Sequence, residues 1–213
     1  MFINVSDESI SVNAHWERAE LAMIREISHY PVALIGDVLQ RMGMMASAIR
    51  HIAGKPSFFG TILPLNTREG DNLAIHRALD DAQPGDVLVI NGNSETNRSV
   101  FGDLLGEICL AKKVSAVVID GAVRDVEELN IMGLPVYARA TNPAGPSKYG
   151  PGQVGIPVAC GNVVCHPGDA IVGDRDGIVV ISRQILPSLA EKLKVQDGFE
   201  NSFREKVRAS ING

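Results

Sequence analysis

The 213-residue chain is 45% hydrophobic and 21% charged, the balance of a soluble globular protein, and no apolar run approaches the roughly 20 residues that a membrane span requires. A net charge of −5 without a basic stripe argues against direct nucleic-acid binding. The odd set of cysteines, Cys109, Cys160 and Cys165, argues against a disulfide framework, and the polar N-terminus lacks a secretory signal, so a cytoplasmic protein is expected.

In chain order, residues 16–29 (WERAELAMIREISH) place apolar side chains at helical spacing, and residues 32–42 predict a second helix despite Gly36. Residues 57–65 (SFFGTILPL) read as a strand broken by Gly60 and Pro64. Residues 71–82 predict a helix with Asp71 as its N-cap, after which Pro84-Gly85-Asp86 turns into the buried strand VLVI. Residues 99–113 are the next predicted helix and 114–120 the next strand. Gly121-Ala122-Val123 is read as a turn, and a short helix over 125–132 is stopped by Gly133. Another short strand covers 134–138. Strands alternating with helices through short loops predict an α/β architecture with at least partly parallel pairing.

Beyond Ala140 the Pro- and Gly-rich stretch TNPAGPSKYGPGQVGIP predicts turns or a long ordered loop. Short strands follow over 156–165, 170–174 and 177–182, with Asp176-Gly177 as a hairpin turn, and residues 184–209 close the chain as one or two charged helices. The expected organisation is one compact α/β domain over 16–183, preceded by an extension (1–15) and followed by a helical segment (184–213).

Arg124-Asp125 follows the C-terminal end of a predicted buried strand, where open α/β sheets bind ligands. Asp125 and Glu128 fit a capping box; at the same place Arg124 would clamp a carboxylate while Asp125 faces a hard cation. Gly102-Asp103-Leu104-Leu105 presents amides able to receive an anion, with Gly102 allowing close approach, or Gly102 simply sits inside the first turn of a core helix. Asp37 and His76 lie in amphipathic helices and read as satisfied structural residues, while Glu200 reads as surface charge. Cys160-x4-Cys165-His166 lacks the second pair of a soft-metal site and reads as packing. No lysine looks buried enough for Schiff-base chemistry, which tilts any carbon–carbon lyase toward a metal. No Ser-His-Asp order, phosphate-binding glycine loop or dinucleotide fingerprint is present.

The segments GDNLAIHRALDDAQPGDVLVI, FGDLLGEICLAKKVSAVVIDGAVRDVEEL, GLPVYARATNPAGPSKYGPG and HPGDAIVGDRDGIVVIS together resemble one known family. It contains the ribonuclease E activity regulator A and the class II 4-hydroxy-4-methyl-2-oxoglutarate and 4-carboxy-4-hydroxy-2-oxoadipate aldolases. The resemblance covers roughly residues 17–183. Its specific part is a glycine, Gly102, lying 22 positions before Arg124-Asp125, with Glu127 and Glu128 supplying a following acid. The resemblance implies an α/β/β/α sandwich with mixed sheets, assembled as trimers or hexamers with active sites between subunits. It implies that Asp125 holds Mg²⁺ or Mn²⁺, largely through water, and that Arg124 binds an oxo-acid and stabilises developing negative charge. Gly102 and the amides of Leu104 and Leu105 would receive the pyruvate carboxylate, and Asp103 would position a proton-carrying water. Glu200 would reach a neighbouring subunit's metal shell. The implied activity is retro-aldol cleavage of a 4-hydroxy-2-oxo acid to pyruvate, with oxaloacetate decarboxylation alongside. The alternative is a regulator that inhibits a ribonuclease by protein–protein contact and needs no metal.

Overall fold

A computed structural model describes residues 6–13 and 15–211. Its elements are β1 (Ile10–Val12), α1 (Leu21–Ile27), α2 (Val32–Val38), β2 (Arg50–Ala53), β3 (Phe58–Thr67), α3 (Leu73–Asp81), β4 (Asp86–Asn91), β5 (Ser99–Phe101), α4 (Asp103–Ala111), β6 (Ala116–Val123), α5 (Val126–Met132), β7 (Val136–Thr141), β8 (Gly152–Val154), β9 (Val158–Cys160), β10 (Val163–Cys165), β11 (Ala170–Asp174), β12 (Gly177–Ile181) and α6 (Leu186–Ile211). None of the described helices is long and apolar enough to cross a membrane.

The near-continuous apolar runs of β4 and β6 require cover on both faces, as parallel strands do. Strands β3, β4, β6 and β7 are neighbours and parallel, in register Ile62↔Val87, Leu88↔Val117 and Val118↔Tyr137. Their side chains alternate between two cores. Leu63, Leu65, Leu88, Ile90, Val117 and Ile119 join the core shared with α3, α4 and α5. Ile62, Val87, Val89 and Val118 point the other way, onto Ile171, Ile178 and Val180 of the β11–β12 hairpin and onto Cys160 and Cys165. The far face of that hairpin, Ala170, Val172, Val179 and Ile181, packs against Ile24, Ile35 and Leu189 of α1, α2 and α6. Three cores between four layers make the expected α/β/β/α sandwich, a single compact domain.

Several local expectations are corrected, each by a tertiary contact. Strand β3 runs unbroken through Gly60 and Pro64. A Cβ at Gly60 would lie 2.2 Å from the Gly85 carbonyl oxygen, so glycine there admits a neighbouring backbone. Strand β3 pairs with β11 over its first half and with β8 over its last residues. Pro64 accepts from the Gly155 N–H (2.9 Å), so its missing donor faces the gap between those two partners. The predicted helix over 99–113 begins as strand β5, and β6 continues through Gly121-Ala122-Val123, with an irregular register against β7 between Ile119 and Ala122. The C-terminal segment is one helix, α6.

The predicted helix over 16–29 shrinks to α1. The segment before it is held extended, because the Ala19 N–H donates to Gly168 O (2.7 Å) and Arg18 reaches Asp86 with two bonds of 2.8 and 2.9 Å. Asp86 is fully buried and also accepts from the Thr61 hydroxyl (2.7 Å) and the Gln83 N–H (2.9 Å). Removing this carboxylate strands a guanidinium and two further donors. Asp86→Ala should therefore lower the unfolding free energy by about 3 kcal/mol in urea titrations, and an unchanged midpoint would remove the anchor's role.

Candidate functional site

The site forms where β5 and β6 end side by side. The Arg124 N–H donates to Phe101 O (3.0 Å), fixing the exits of both strands, and α4 and α5 start immediately afterwards. Asp125 occupies the N-cap position of α5 in a left-handed conformation (φ 56°, ψ 45°), which aspartate tolerates better than most residues. The expected capping box does not form: the Asp125 carboxylate makes no capping bond to its own helix. It turns instead toward α4, where Oδ2 accepts from the Asp103 N–H (3.3 Å) and from Arg124 Nε (3.2 Å).

Gly102 makes this approach possible. It is the N-cap of α4, with an extended backbone (φ −160°), so it is needed for space and not for conformation. A Cβ there would stand 2.3 Å from Asp125 Oδ2 and 3.1 Å from Arg124 Cγ. Gly145 serves the guanidinium similarly, since its Cβ would lie 2.8 Å from Arg124 Nη1. The sequence alternative that put Gly102 inside the first turn is thereby set aside. The Leu104 N–H is engaged by Asp103 Oδ1 (2.7 Å), which corrects the expectation of two free amides. The Leu105 N–H remains an orphan donor of the first turn.

Loop 142–149 closes over one side. The Asn142 N–H donates to Val123 O (2.9 Å), the Ser99 N–H and hydroxyl both donate to Ala144 O (2.9 Å each), and the end of the loop is fastened to Asp71. Asp71 is fully buried, with its carboxylate accepting from the Leu73 N–H (2.9 Å), the Ser147 hydroxyl (2.7 Å) and the Tyr149 N–H (2.7 Å). Burial works to raise its pKa, but these bonds and one from Gly150 outweigh it and hold the carboxyl below its usual value. Asn72, not Asp71, takes the N-cap position of α3, and Asp71 acts as the pin of the loop.

Beneath the loop lies a cavity of about 130 Å³, lined among others by Asn72, His76, Leu105, Arg124, Pro146 and Lys148. Asn72 and His76 are 4% and 6% exposed, yet Asn72 Oδ1 and His76 Nδ1 have no hydrogen-bond partner. His76 is therefore not the satisfied structural residue that its helical setting predicts. Burial, aided by the Lys148 charge and opposed by Asp80, lowers its pKa to about 4 and keeps the ring neutral. A larger cavity of about 710 Å³ lies at the opposite end of the strands, beside Ser115 and Pro135 where β6 and β7 begin. That is the wrong edge for ligand binding in a parallel sheet.

Among the described residues no group of three or more His, Cys, Asp or Glu side chains could hold a metal. The donor set nevertheless suits one kind of ion. Asp125 Oδ1 makes no hydrogen bond, and a hard dication such as Mg²⁺ is commonly held by one or two carboxylates, with water and ligand oxygens completing its shell. The buried thiols offer nothing comparable: burial pushes Cys109 and Cys160 up and Cys165 to about 12, in keeping with packing. The structure thus brings Gly102, Asp103, Leu104, Leu105, Arg124 and Asp125 together. Glu200 stays apart on α6, paired with Arg204 (2.6 Å), and Asp37 is exposed beside Arg41 (3.8 Å). Asn72 went unnoticed in the sequence, where an Asn beside an acidic residue at a helix start reads only as capping chemistry.

A family model described as RraA-like: Aldolase/RraA matches residues 5–180. The chain belongs to this family. A Halalkalibacterium halodurans protein provisionally named 4-hydroxy-4-methyl-2-oxoglutarate aldolase is 32% identical over 190 residues, 89% of this chain and 90% of its own length. Among solved structures, Streptomyces coelicolor RraAS2, described as an unusual member of the RNase ES inhibitor RraA family, superposes with a TM-score of 0.81 at 26% identity, covering 89% of this chain and 99% of that one. The RNA-processing inhibitor RraA of Thermus thermophilis gives 0.67 at 26% identity, covering 71% and 92%. The family therefore includes relatives named for catalysis and relatives named for inhibition.

The neutral His76 has a consequence for stability. Its pKa falls from 6.5 unfolded to about 4 folded, so the unfolded chain binds the proton more readily. Stability is complete above about pH 6.5 and is lost as pH falls toward 4, by on the order of 3 kcal/mol. Denaturant midpoints measured across that window should show the loss in the native chain, and His76→Phe should flatten it. A variant with the same slope would contradict the buried neutral ring.

Proposed function

We propose that this chain is a divalent-metal-dependent lyase that cleaves 4-hydroxy-2-oxo acids by retro-aldol reaction and releases pyruvate. The supporting observation is the single carboxylate oxygen of Asp125 shared by the Asp103 N–H and Arg124 Nε, which leaves the other oxygen without a hydrogen bond in a residue that lines one cavity together with Arg124. Cleavage between C3 and C4 leaves an electron pair on C3 that is tolerable only as an enolate. Arg124 offers fixed positive charge to that oxygen and to the adjoining carboxylate, and the Leu105 N–H gives the carboxylate a second donor. Asp103 lies at the start of α4 beside these groups and orients the water that takes the 4-hydroxyl proton and later protonates C3. Bound through Asp125, Mg²⁺ or Mn²⁺ would supply Lewis-acid stabilisation of the same enolate. Oxaloacetate decarboxylation passes through the same enolate and is expected alongside.

The outer wall of the site is completed, in this proposal, by another copy of the chain. Leu104 is 68% exposed at the start of α4. On α6, Val195, Phe199, Phe203, Val207 and Ile211 recur at four-residue spacing and are 40–75% exposed. Such an apolar helix face is unusual for a monomer and suits a subunit interface, which would also carry Glu200 to a neighbour's site. Phe199→Ser with Phe203→Ser should reduce the mass measured by light scattering to that of one chain; an unaltered assembly would dismiss this role for α6.

The alternative, a regulator that inhibits a ribonuclease through protein contact, draws support from the relatives named as RNA-processing inhibitors. Pyruvate release from oxaloacetate and from 4-hydroxy-4-methyl-2-oxoglutarate separates the two. The lyase reading expects turnover that EDTA abolishes and Mg²⁺ restores. It expects a loss of at least ~100-fold in Arg124→Met and a comparable loss in Asp125→Asn, which keeps both size and tolerance of the left-handed backbone. Trace activity indifferent to EDTA and to both substitutions would favour the regulator.

A further inference from the structure

We infer that Gly145 and Asp71 are positioning residues for the Arg124 guanidinium: Gly145 is the surface it rests against, and Asp71 keeps that surface in place. This rests on the lyase reading above, in which Arg124 carries the fixed charge. Among the described residues the guanidinium makes one hydrogen bond, from Nε to Asp125 Oδ2 (3.2 Å), and the side chain is 38% exposed. Its terminal nitrogens are therefore placed by packing, not by hydrogen bonds. On one side, a Cβ at Gly102 would lie 3.3 Å from Nε. On the other, a Cβ at Gly145 would lie 2.8 Å from Nη1, well inside ordinary contact, which begins near 3.4 Å. Chain neighbours aside, Arg124 is the one described residue that this Cβ would meet within 4 Å. No positive φ obliges glycine at this position, so the absent side chain serves the guanidinium alone.

Gly145 and Pro146 bridge two anchors. Before them, Ala144 O receives both the N–H and the hydroxyl of the buried Ser99 (2.9 Å each). After them, Ser147 is held from three directions: its N–H donates to Gly70 O (2.8 Å), its carbonyl accepts from the Asn72 N–H (3.0 Å), and its hydroxyl donates to Asp71 Oδ2 (2.7 Å). The same Asp71 oxygen also accepts from the Tyr149 N–H (2.7 Å). With only two residues between fixed points, Gly145 cannot retreat from Nη1 while Asp71 keeps its bonds. Releasing the Asp71 end lets the loop lift and gives the guanidinium room to swing. Arg124 lines two cavities, one of about 130 Å³ shared with Pro146 and Lys148 and one of about 260 Å³ shared with Asn142 and Pro143, and such freedom would divide it between them. A misplacement of about 1 Å in a reacting geometry costs on the order of 100-fold, so this bracing bears directly on turnover.

The test reads kcat and KM for oxaloacetate with Mg²⁺, in the native background and in Arg124→Lys, which keeps the charge but not the planar fork that Gly145 admits. Gly145→Ala displaces Nη1 by roughly half an ångström and should lower kcat at least ~10-fold in the native background. KM should change less than ~3-fold, because the guanidinium acts on charge that develops in the transition state. In the Arg124→Lys background the same change should cost less than ~2-fold. Asp71→Asn sets an amide against the Ser147 and Tyr149 donors; it should show the same dependence on Arg124, with faster deuterium uptake over residues 142–149. If Asp71→Asn fails to fold, Gly145→Ala carries the test, since it meets only the flexible end of a side chain and should keep the native urea midpoint. Native kcat in Gly145→Ala, or equal losses in both backgrounds, overturns the positioning role and leaves the lyase reading standing. Absence of pyruvate release by the native protein overturns the two together.

Discussion

The candidate site of this molecule depends on one oxygen atom. Asp125 Oδ2 accepts from the first amide of α4 and from the guanidinium of its own neighbour, so two helices and two strand ends converge on it. The arrangement is expensive in backbone terms, because Asp125 holds a left-handed conformation and Gly102 must lack a side chain. What it secures is orientation: the guanidinium lies between Gly102 and Gly145, and the second carboxylate oxygen makes no hydrogen bond. A helix cap would have satisfied the local chemistry of Asp125 equally well. The carboxylate lies elsewhere because it is needed between elements.

Buried aspartates repeat that logic through the fold. Asp86 joins the start of β4 to the extended segment before α1, and Asp71 fastens loop 142–149 to the start of α3. Asp120, at the irregular end of β6, accepts from the Ser94 hydroxyl (2.9 Å), Arg139 Nε (2.7 Å) and the Gly161 N–H (2.9 Å). Each is saturated by backbone amides, hydroxyls or a guanidinium, as a buried carboxylate must be. His76 and Asn72 depart from this pairing, as do Trp16 and Asn66, and the first two also line one cavity.

What the sequence made legible followed from local pattern. The apolar runs of β4 and β6 announced buried parallel strands, the Gly133 stop of α5 holds in a left-handed conformation, and the grouping of Gly102 to Leu105 with Arg124-Asp125 survives folding. The misreadings share one cause, a distant partner overriding a local preference. Arg18 is drawn straight by an aspartate 68 positions away, Pro64 is tolerated because two different strands flank it, and Asp125 ignores its own helix for Asp103. Periodicity carries no trace of such pairings. Nor could it show that an ordinary His in an amphipathic helix would end with an empty nitrogen beside a lysine.

Strand β3 carries a further implication. On one edge it is paired with β4; on the other, its first half belongs to the β11–β12 layer and its last residues to β8. A single ten-residue segment is thus stitched into both β layers of the sandwich. Shear between the layers would have to tear the same ladder that holds the central strands, so the sandwich resists sliding as a block and should lose its layers in one cooperative step.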